Sequence, residues 1–240
     1  MNSDKGIYNF RIFSDKLICG VSTKRIGPIK DNTGFNRKNL QRFADLLGIN
    51  SSKLFFVKQI HGSDIYFVKD FTSNFLKVGD GLITNKKDIF LAILTADCMA
   101  VCFEDPVKSL VGIIHVGYKG LLNGIIGKTV SEFKKSGSDI NDIKIAVGPS
   151  IGVCCYDIDN KRMEEFKAKL KKQAVFEEKQ NKCFLDLKTT AVNILLSLGL
   201  KRSNIEVSPV CTKDSEKVFY SYRRDKDGLQ RRFATVIGLK

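Results

Sequence analysis

Tryptophan is absent from this chain of 240 residues, and histidine occurs only twice. Proline and methionine are almost as scarce, at four and three residues. No apolar run approaches the ~20 residues that a bilayer-spanning helix needs, so no membrane segment is expected. The opening residues, MNSDKGIYNF, place no basic segment ahead of an apolar one, so no secretory leader is expected and the expected location is cytoplasmic. No low-complexity tract, internal repeat or Gly/Ser/Pro-rich linker interrupts the chain, and residues 1–240 read as a single domain large enough to bury a full core. The seven cysteines are odd in number and lack CxxC spacing, which excludes a disulfide scaffold and a compact zinc finger. Most read as buried free thiols, and the adjacent Cys154 and Cys155 read as packing rather than redox chemistry. Acidic residues are the minority charge, 26 against 40 basic, for a net charge of +14. The lysines are scattered in short groups such as Lys86-Lys87 and Lys171-Lys172, and no RNA-binding aromatic motif accompanies them. A solvated basic surface is therefore expected, and nucleic acid is not an expected partner.

Against this background the stretch from Phe90 to Gly120 stands out. A short apolar run, Phe90 to Leu94, leads into Thr95-Ala96-Asp97-Cys98. A second, Leu110 to Ile114, ends at His115. The only other histidine, His61, follows a similar run, Leu54 to Ile60, with Gly62 behind it. Short apolar runs bounded by polar or glycine residues predict buried strands. Two imidazoles and a thiolate at neighbouring strand ends form a first shell for a borderline-soft ion, with a fourth position open. His61, Cys98 and His115 are the expected metal ligands. Their wide spacing points to a catalytic site. Zinc is the expected ion, and copper would bind the same donors.

The blocks around these residues carry a specific resemblance. KQIHG at 58–62, GDGLIT at 79–84, LTADC at 94–98, HVGYKGL at 115–121, VGPSIGVCCYDI at 147–158, FLDL at 184–187, Cys211-Thr212 and FYSYRRDKDG at 219–228 occur in one order along nearly the whole chain. The chain resembles the YfiH-like laccase-domain family, known also as polyphenol oxidase and as purine nucleoside phosphorylase with adenosine deaminase activity. That resemblance places the metal on the same three residues, His61, Cys98 and His115. It implies phosphorolysis of adenosine, inosine, guanosine and methylthioadenosine, and deamination of adenosine, with purine nucleoside and phosphate as partners. The chain departs from the family where Tyr118 and Lys119 replace tryptophan and arginine, Lys24 replaces an arginine, and Arg231 replaces a glycine.

The coarse pattern predicts strands at Tyr8–Phe13, Leu17–Val21, Leu54–Ile60, Ile65–Val68, Leu82–Thr84, Ile143–Val147, Ile205–Val210, Val218–Tyr222 and Phe233–Leu239. Helices are expected after the caps Asn36 and Asp186, from Gly117 to near Gly137, and over 160–173. Grouped strands with spacings too short for βαβ crossovers predict an α+β fold. The resemblance sharpens this to layered β-sheets flanked by helices, an αββα-type sandwich.

The catalytic candidates are Asp97, Cys98, His61 and His115. Asp97, beside the ligand Cys98, is either a proton shuttle or the group that orients a histidine ligand. Phosphorolysis also needs an anion pocket. Arg223 or Arg224, Lys119, Ser22 and Thr23 are the candidates, with Gln59 in the KQIHG block on the substrate side. On a strand, adjacent arginines point to opposite faces, which favours Arg223 alone. A multicopper laccase is disfavoured, because one blue-copper centre would use both histidines. The competing enzyme reading makes Cys98 a nucleophile with His115 or His61 as its base, for amide or ester hydrolysis; the resemblance implies cell-wall precursor editing as one such reaction. A basic nucleic-acid-binding domain is the non-enzymatic alternative, and it leaves the three ligands unexplained.

Overall fold

A computed structural model of the chain describes residues 6–70 and 77–240; residues 1–5, at the head of the segment read for a leader, lie outside the described residues. Two mixed sheets form the centre. The first has the spatial order Ile7–Tyr8, Leu17–Ser22, Phe233–Leu239, Phe90–Thr95, Leu54–Phe56. The second runs Ile205–Val207, Lys144–Val147, Met99–Asp105, Leu110–Val116, Gly81–Thr84, Ile65–Phe67.

Strand alternation explains why the sheets stack. In Phe90–Thr95, Leu91 and Ile93 point between the sheets, where they meet Val111, Ile113 and Cys102. Phe90, Ala92 and Leu94 point the other way, onto Phe43 and Ala44 of the helix Arg37–Leu47. The second sheet alternates likewise. Met99, Val101, Phe103, Leu110 and Ile114 face Phe133 and Ile126 of the helix Ile125–Lys135 and Leu195 of Leu187–Ser197. Helix, sheet, sheet, helix is the αββα order that the family resemblance implies. Leu91 and Ile93 have no exposure, and burial of side chains of this size contributes about 1.5–3 kcal/mol each.

Asn36 and Asp186 cap their helices as expected, accepting from the backbone N–H of Asn39 and Thr189. Several boundaries move. Of the first expected strand, Tyr8–Phe13, only Tyr8 is paired, in the short strand Ile7–Tyr8; Leu54–Phe56 stops short of His61, and Ile205–Val207 ends before Val210. The helix expected from Gly117 is two helices, Tyr118–Leu122 and Ile125–Lys135, parted at Gly124 in a left-handed conformation (φ 71°). Val218–Tyr222 is not a strand. It is a chain of turns with Val218 and Phe219 N–H donating to the Ser215 carbonyl, so the alternation argument separating Arg223 from Arg224 loses its premise. Met99–Asp105, a central strand, and the hairpin Phe176–Lys179 with Lys182–Leu185 are absent from the sequence reading.

Candidate metal centre

Between Phe90–Thr95 of the first sheet and Met99–Asp105 of the second, the chain crosses layers through the bend Ala96-Asp97-Cys98. His115 lies one residue from the end of Leu110–Val116, paired with Ala100 of the neighbouring strand. Continuing that register brings Cys98 opposite Gly117. A Cβ at 117 would lie 2.8 Å from Cys98 Sγ and 3.3 Å from a His61 ring carbon, so the glycine leaves the space in which thiol and imidazole converge. His61 arrives in a turn after Leu54–Phe56, with a left-handed backbone (φ 61°). The ligand atoms of His61, Cys98 and His115 all lie within 4.8 Å of one another, with Cys98 Sγ 4.0 Å from His61 Nε2. This nitrogen, nitrogen and sulfur set suits zinc or copper by donor type and count.

Asp80 builds much of this geometry. Its fully buried carboxylate accepts from the backbone N–H of Ile60, His61 and Gly62, at 3.2, 3.0 and 2.6 Å, and so fixes the His61 turn. It also lies 2.8 Å from His115 Nδ1, which orients that ring with Nε2 turned toward Cys98 and His61. Burial pushes the Asp80 carboxyl up, but the His115 hydrogen bond and the backbone donors outweigh it and hold it below the ordinary carboxylate range. Burial likewise pushes the Cys98 thiol up, yet the charge and hydrogen bonds of His115 and His61 bring it down to about 6. For His115 burial acts downward, and Cys98 and Asp80 carry the imidazole up to about 9. Without a metal, the centre is a thiolate–imidazolium pair at neutral pH.

Asp97 is nearly buried, and its oxygens are occupied. Thr212 Oγ1 donates at 2.7 Å, Ser221 Oγ at 3.1 Å and the Arg223 backbone N–H at 2.7 Å. These bonds tie the loop of residues 211–223 to the layer crossing and hold Asp97 at φ 101°, a conformation that costs a non-glycine residue on the order of 1–3 kcal/mol.

The three ligands open into a cavity of about 710 Å³. Its wall carries Arg162, Arg223 and Arg232 together with Tyr118, Tyr156 and Tyr222. Arg162 stacks over Tyr118 at 4.2 Å, and Arg223 lies over Tyr156 at 5.2 Å while pairing with Asp157. Burial raises the Tyr156 hydroxyl to about 12, so it stays protonated. Arg224 turns away from the cavity and donates to the Thr212, Lys213 and Phe219 carbonyls and to Asp225.

The other substrate-side candidates are distributed unevenly. Gln59 is on the cavity wall, with its amide spent on both the N–H and the carbonyl of Leu94. Ser22 is fully buried and accepts from the Ala234 N–H, and Thr23 donates to the Gly6 carbonyl. Lys119 is exposed, outside the wall, with its ammonium 6.0 Å from the Tyr118 ring. Sequence reasoning misses Asp80, Arg162 and Arg232. Asp80 carried a signal, an acid between two glycines ahead of an apolar strand, whereas Arg162 reads as one more charge on a basic helix.

Comparisons with known proteins identify the family and the fold. A family model described as multi-copper polyphenol oxidoreductase laccase matches residues 26–240. The purine nucleoside phosphorylase YlmD of Bacillus subtilis is 34% identical, over 94% of this chain and 89% of the relative. A purine nucleoside phosphorylase of Borreliella burgdorferi is 38% identical over 72% of this chain and 75% of its own length. Among solved structures, YlmD of Geobacillus stearothermophilus superposes with a TM-score of 0.89 at 28% identity, covering 100% of this chain and 98% of that one. The Bacillus licheniformis protein YfiH gives a TM-score of 0.85 at 32% identity, covering 97% and 100%.

Proposed function

Because the chain belongs to the family described as multi-copper polyphenol oxidoreductase laccase, whose relatives above are named purine nucleoside phosphorylases, we propose that it is a zinc-dependent purine nucleoside phosphorylase that also deaminates adenosine. One observation carries the reading: the convergent His61, Cys98 and His115 open onto a cavity whose wall carries three arginines and three tyrosines. Arginines match phosphate oxygens in bidentate geometry, and tyrosine faces stack on a flat purine. Both halves of a nucleoside-plus-phosphate substrate pair therefore have chemistry to meet.

His61, Cys98 and His115 would hold zinc, with Asp80 fixing the tautomer and tilt of His115. Zinc bound there supplies Lewis acidity, which polarises a substrate oxygen or activates water. In phosphorolysis a phosphate oxygen bonds to ribose C1′ as the bond from C1′ to the purine nitrogen breaks, and its electron pair leaves with the base. Arg162, Arg223 and Arg232 offset the phosphate charge and hold it beside C1′. The tyrosines and Phe35 exclude water and orient the base. Asp97 acts through position and not through proton transfer, since three donors already occupy its carboxylate.

The test is product analysis with adenosine or inosine in the presence and absence of phosphate. Free base and ribose 1-phosphate should form only with phosphate, and ammonia should be released from adenosine. Base release that ignores phosphate would sink the phosphorylase. Replacing Arg162 or Arg223 by Ala should raise KM for phosphate about 10- to 100-fold, the equivalent of about 1.5–3 kcal/mol for a charged hydrogen bond, with zinc content unchanged.

A further inference from the structure

A second group of metal-type donors lies apart from the cavity centre. Cys154, Cys155, Cys211 and Asp214 each offer one ligand atom, and those four atoms lie within 4.8 Å of one another. Cys154 Sγ is 3.1 Å and Cys155 Sγ 2.9 Å from the two oxygens of Asp214.

The cluster joins two turns, each closed by its own backbone. Cys155 and Tyr156 N–H donate to the Gly152 carbonyl, and Ser215 N–H donates to the Cys211 carbonyl. A bridge between Ser150 and Cys211, with Thr212 N–H donating to the Ser150 carbonyl, binds the turns side by side. Donors carried on prearranged turns lose little entropy on binding.

Gly152 is the independent sign that this space is shaped for sulfur. A Cβ there would lie 3.1 Å from Cys154 Sγ, 3.1 Å from Cys211 Cβ and 3.4 Å from Cys211 Sγ. The Gly152 N–H also points at Cys211 Sγ, 3.2 Å away, and a hydrogen bond of this kind stabilises negative charge on the sulfur. Three thiols, a carboxylate and an N–H···S contact in one cluster match a closed structural zinc site and leave no open position for substrate.

We propose that Cys154, Cys155, Cys211 and Asp214 bind a second, structural zinc ion. Its place in the molecule gives it a job. Thr212, next to Cys211, donates to Asp97, and Tyr156, next to Cys155, stands on the cavity wall. An ion across the two turns fixes both residues relative to the layer crossing that carries Cys98.

Metal content and the visible spectrum of cobalt-substituted protein test this, using untagged protein prepared under reducing conditions with zinc or cobalt supplied. Wild-type protein should hold about twice the metal of the Cys154→Ser/Cys211→Ser variant. The Cys98→Ala variant should retain one equivalent, and its cobalt form should keep an intense sulfur-to-cobalt charge-transfer band. Cys154 is exposed, so Cys154→Ser alone should fold, with a weaker band and lower affinity for cobalt. A Cys98→Ala protein that binds no metal, or binds cobalt without the sulfur band, overturns the proposal. So does a metal-free cluster whose intact mass is lighter by two hydrogens, which would show a disulfide.

Discussion

Cys98 and His115 exchange their ordinary titration ranges in the metal-free protein, Cys98 falling to about 6 and His115 rising to about 9. The depressed thiol contributes stability that is present above its ordinary range and lost as pH falls toward 6. The raised imidazole contributes stability that is present below its ordinary range and lost as pH rises through about 9. Between those limits the two slopes oppose each other, because folded and unfolded chains hold the same total number of protons on the pair. Melting temperature should therefore be nearly flat across this window as far as the pair is concerned, while thiol chemistry changes within it. In chelated protein, iodoacetamide labelling of Cys98 should rise with a midpoint near 6. With zinc bound, Cys98 should resist the reagent. Cys154 is the internal control. It is exposed, but burial of its sulfur and the Asp214 carboxylate push its thiol up to about 12, so in chelated protein it should label more slowly than half-buried Cys98. Peptide mapping reads both sites. Rapid labelling of Cys98 in fully active, metal-free protein would promote the cysteine hydrolase instead. Two further substitutions separate ligand from support. Asp80→Ala removes a buried partner of His115 and of three backbone donors, so it should cost about 3 kcal/mol of stability and about 10- to 100-fold in metal affinity. Gly117→Ala meets no conformational penalty at φ −97°, so metal should be lost by crowding of Cys98 and His61, with the fold kept, as calorimetry and metal content would show.

At the scale of elements, helix caps and strand alternation were the most legible features. Asp186 shows the first of these: its carboxylate accepts from the Thr189 N–H and hydroxyl at the start of Leu187–Ser197. Asp186→Ala should lower stability by about 1 kcal/mol in denaturant unfolding, with no change in metal content. What escaped the sequence did so for physical reasons. Val218–Tyr222 has the aromatic and β-branched content of a strand, but its backbone groups are spent on turn bonds such as Phe219 N–H to Ser215 carbonyl, which period-2 patterning does not report. Met99–Asp105 is buried on both faces, so no alternation marks it. The convergence of His61, Cys98 and His115 was legible because two histidines in the whole chain leave few arrangements. The cavity wall was not. Arg162 and Arg232 come from a helix and from the segment before the final strand, far apart in the chain, and only the tertiary fold brings them together. Ser22 and Lys119 sit close in sequence to strand ends near the site, yet one turns into the sheet packing and the other out to solvent.

For the molecule as a whole, the net charge of +14 and the arginine-lined cavity act in the same direction on an anionic substrate. Screening shortens the reach of that field to roughly 8 Å at physiological salt. The kcat/KM for phosphate should therefore fall as sodium chloride is raised, while KM for the uncharged nucleoside stays level. Equal salt effects on both substrates would show that surface charge plays no part. No helix among the described residues is long and apolar enough to cross a membrane. The layer crossing at Ala96-Asp97-Cys98 has a mechanical consequence as well. His61 follows a strand of the first sheet, His115 belongs to the second, and Cys98 stands where the chain passes between them. An ion gripping all three would add a rivet to the Asp80 hydrogen bonds that already tie the His61 turn to the second sheet: sliding one sheet over the other would also have to shear metal–ligand bonds, so loading the site should stiffen the whole sandwich against slip, far from any residue that substrate touches.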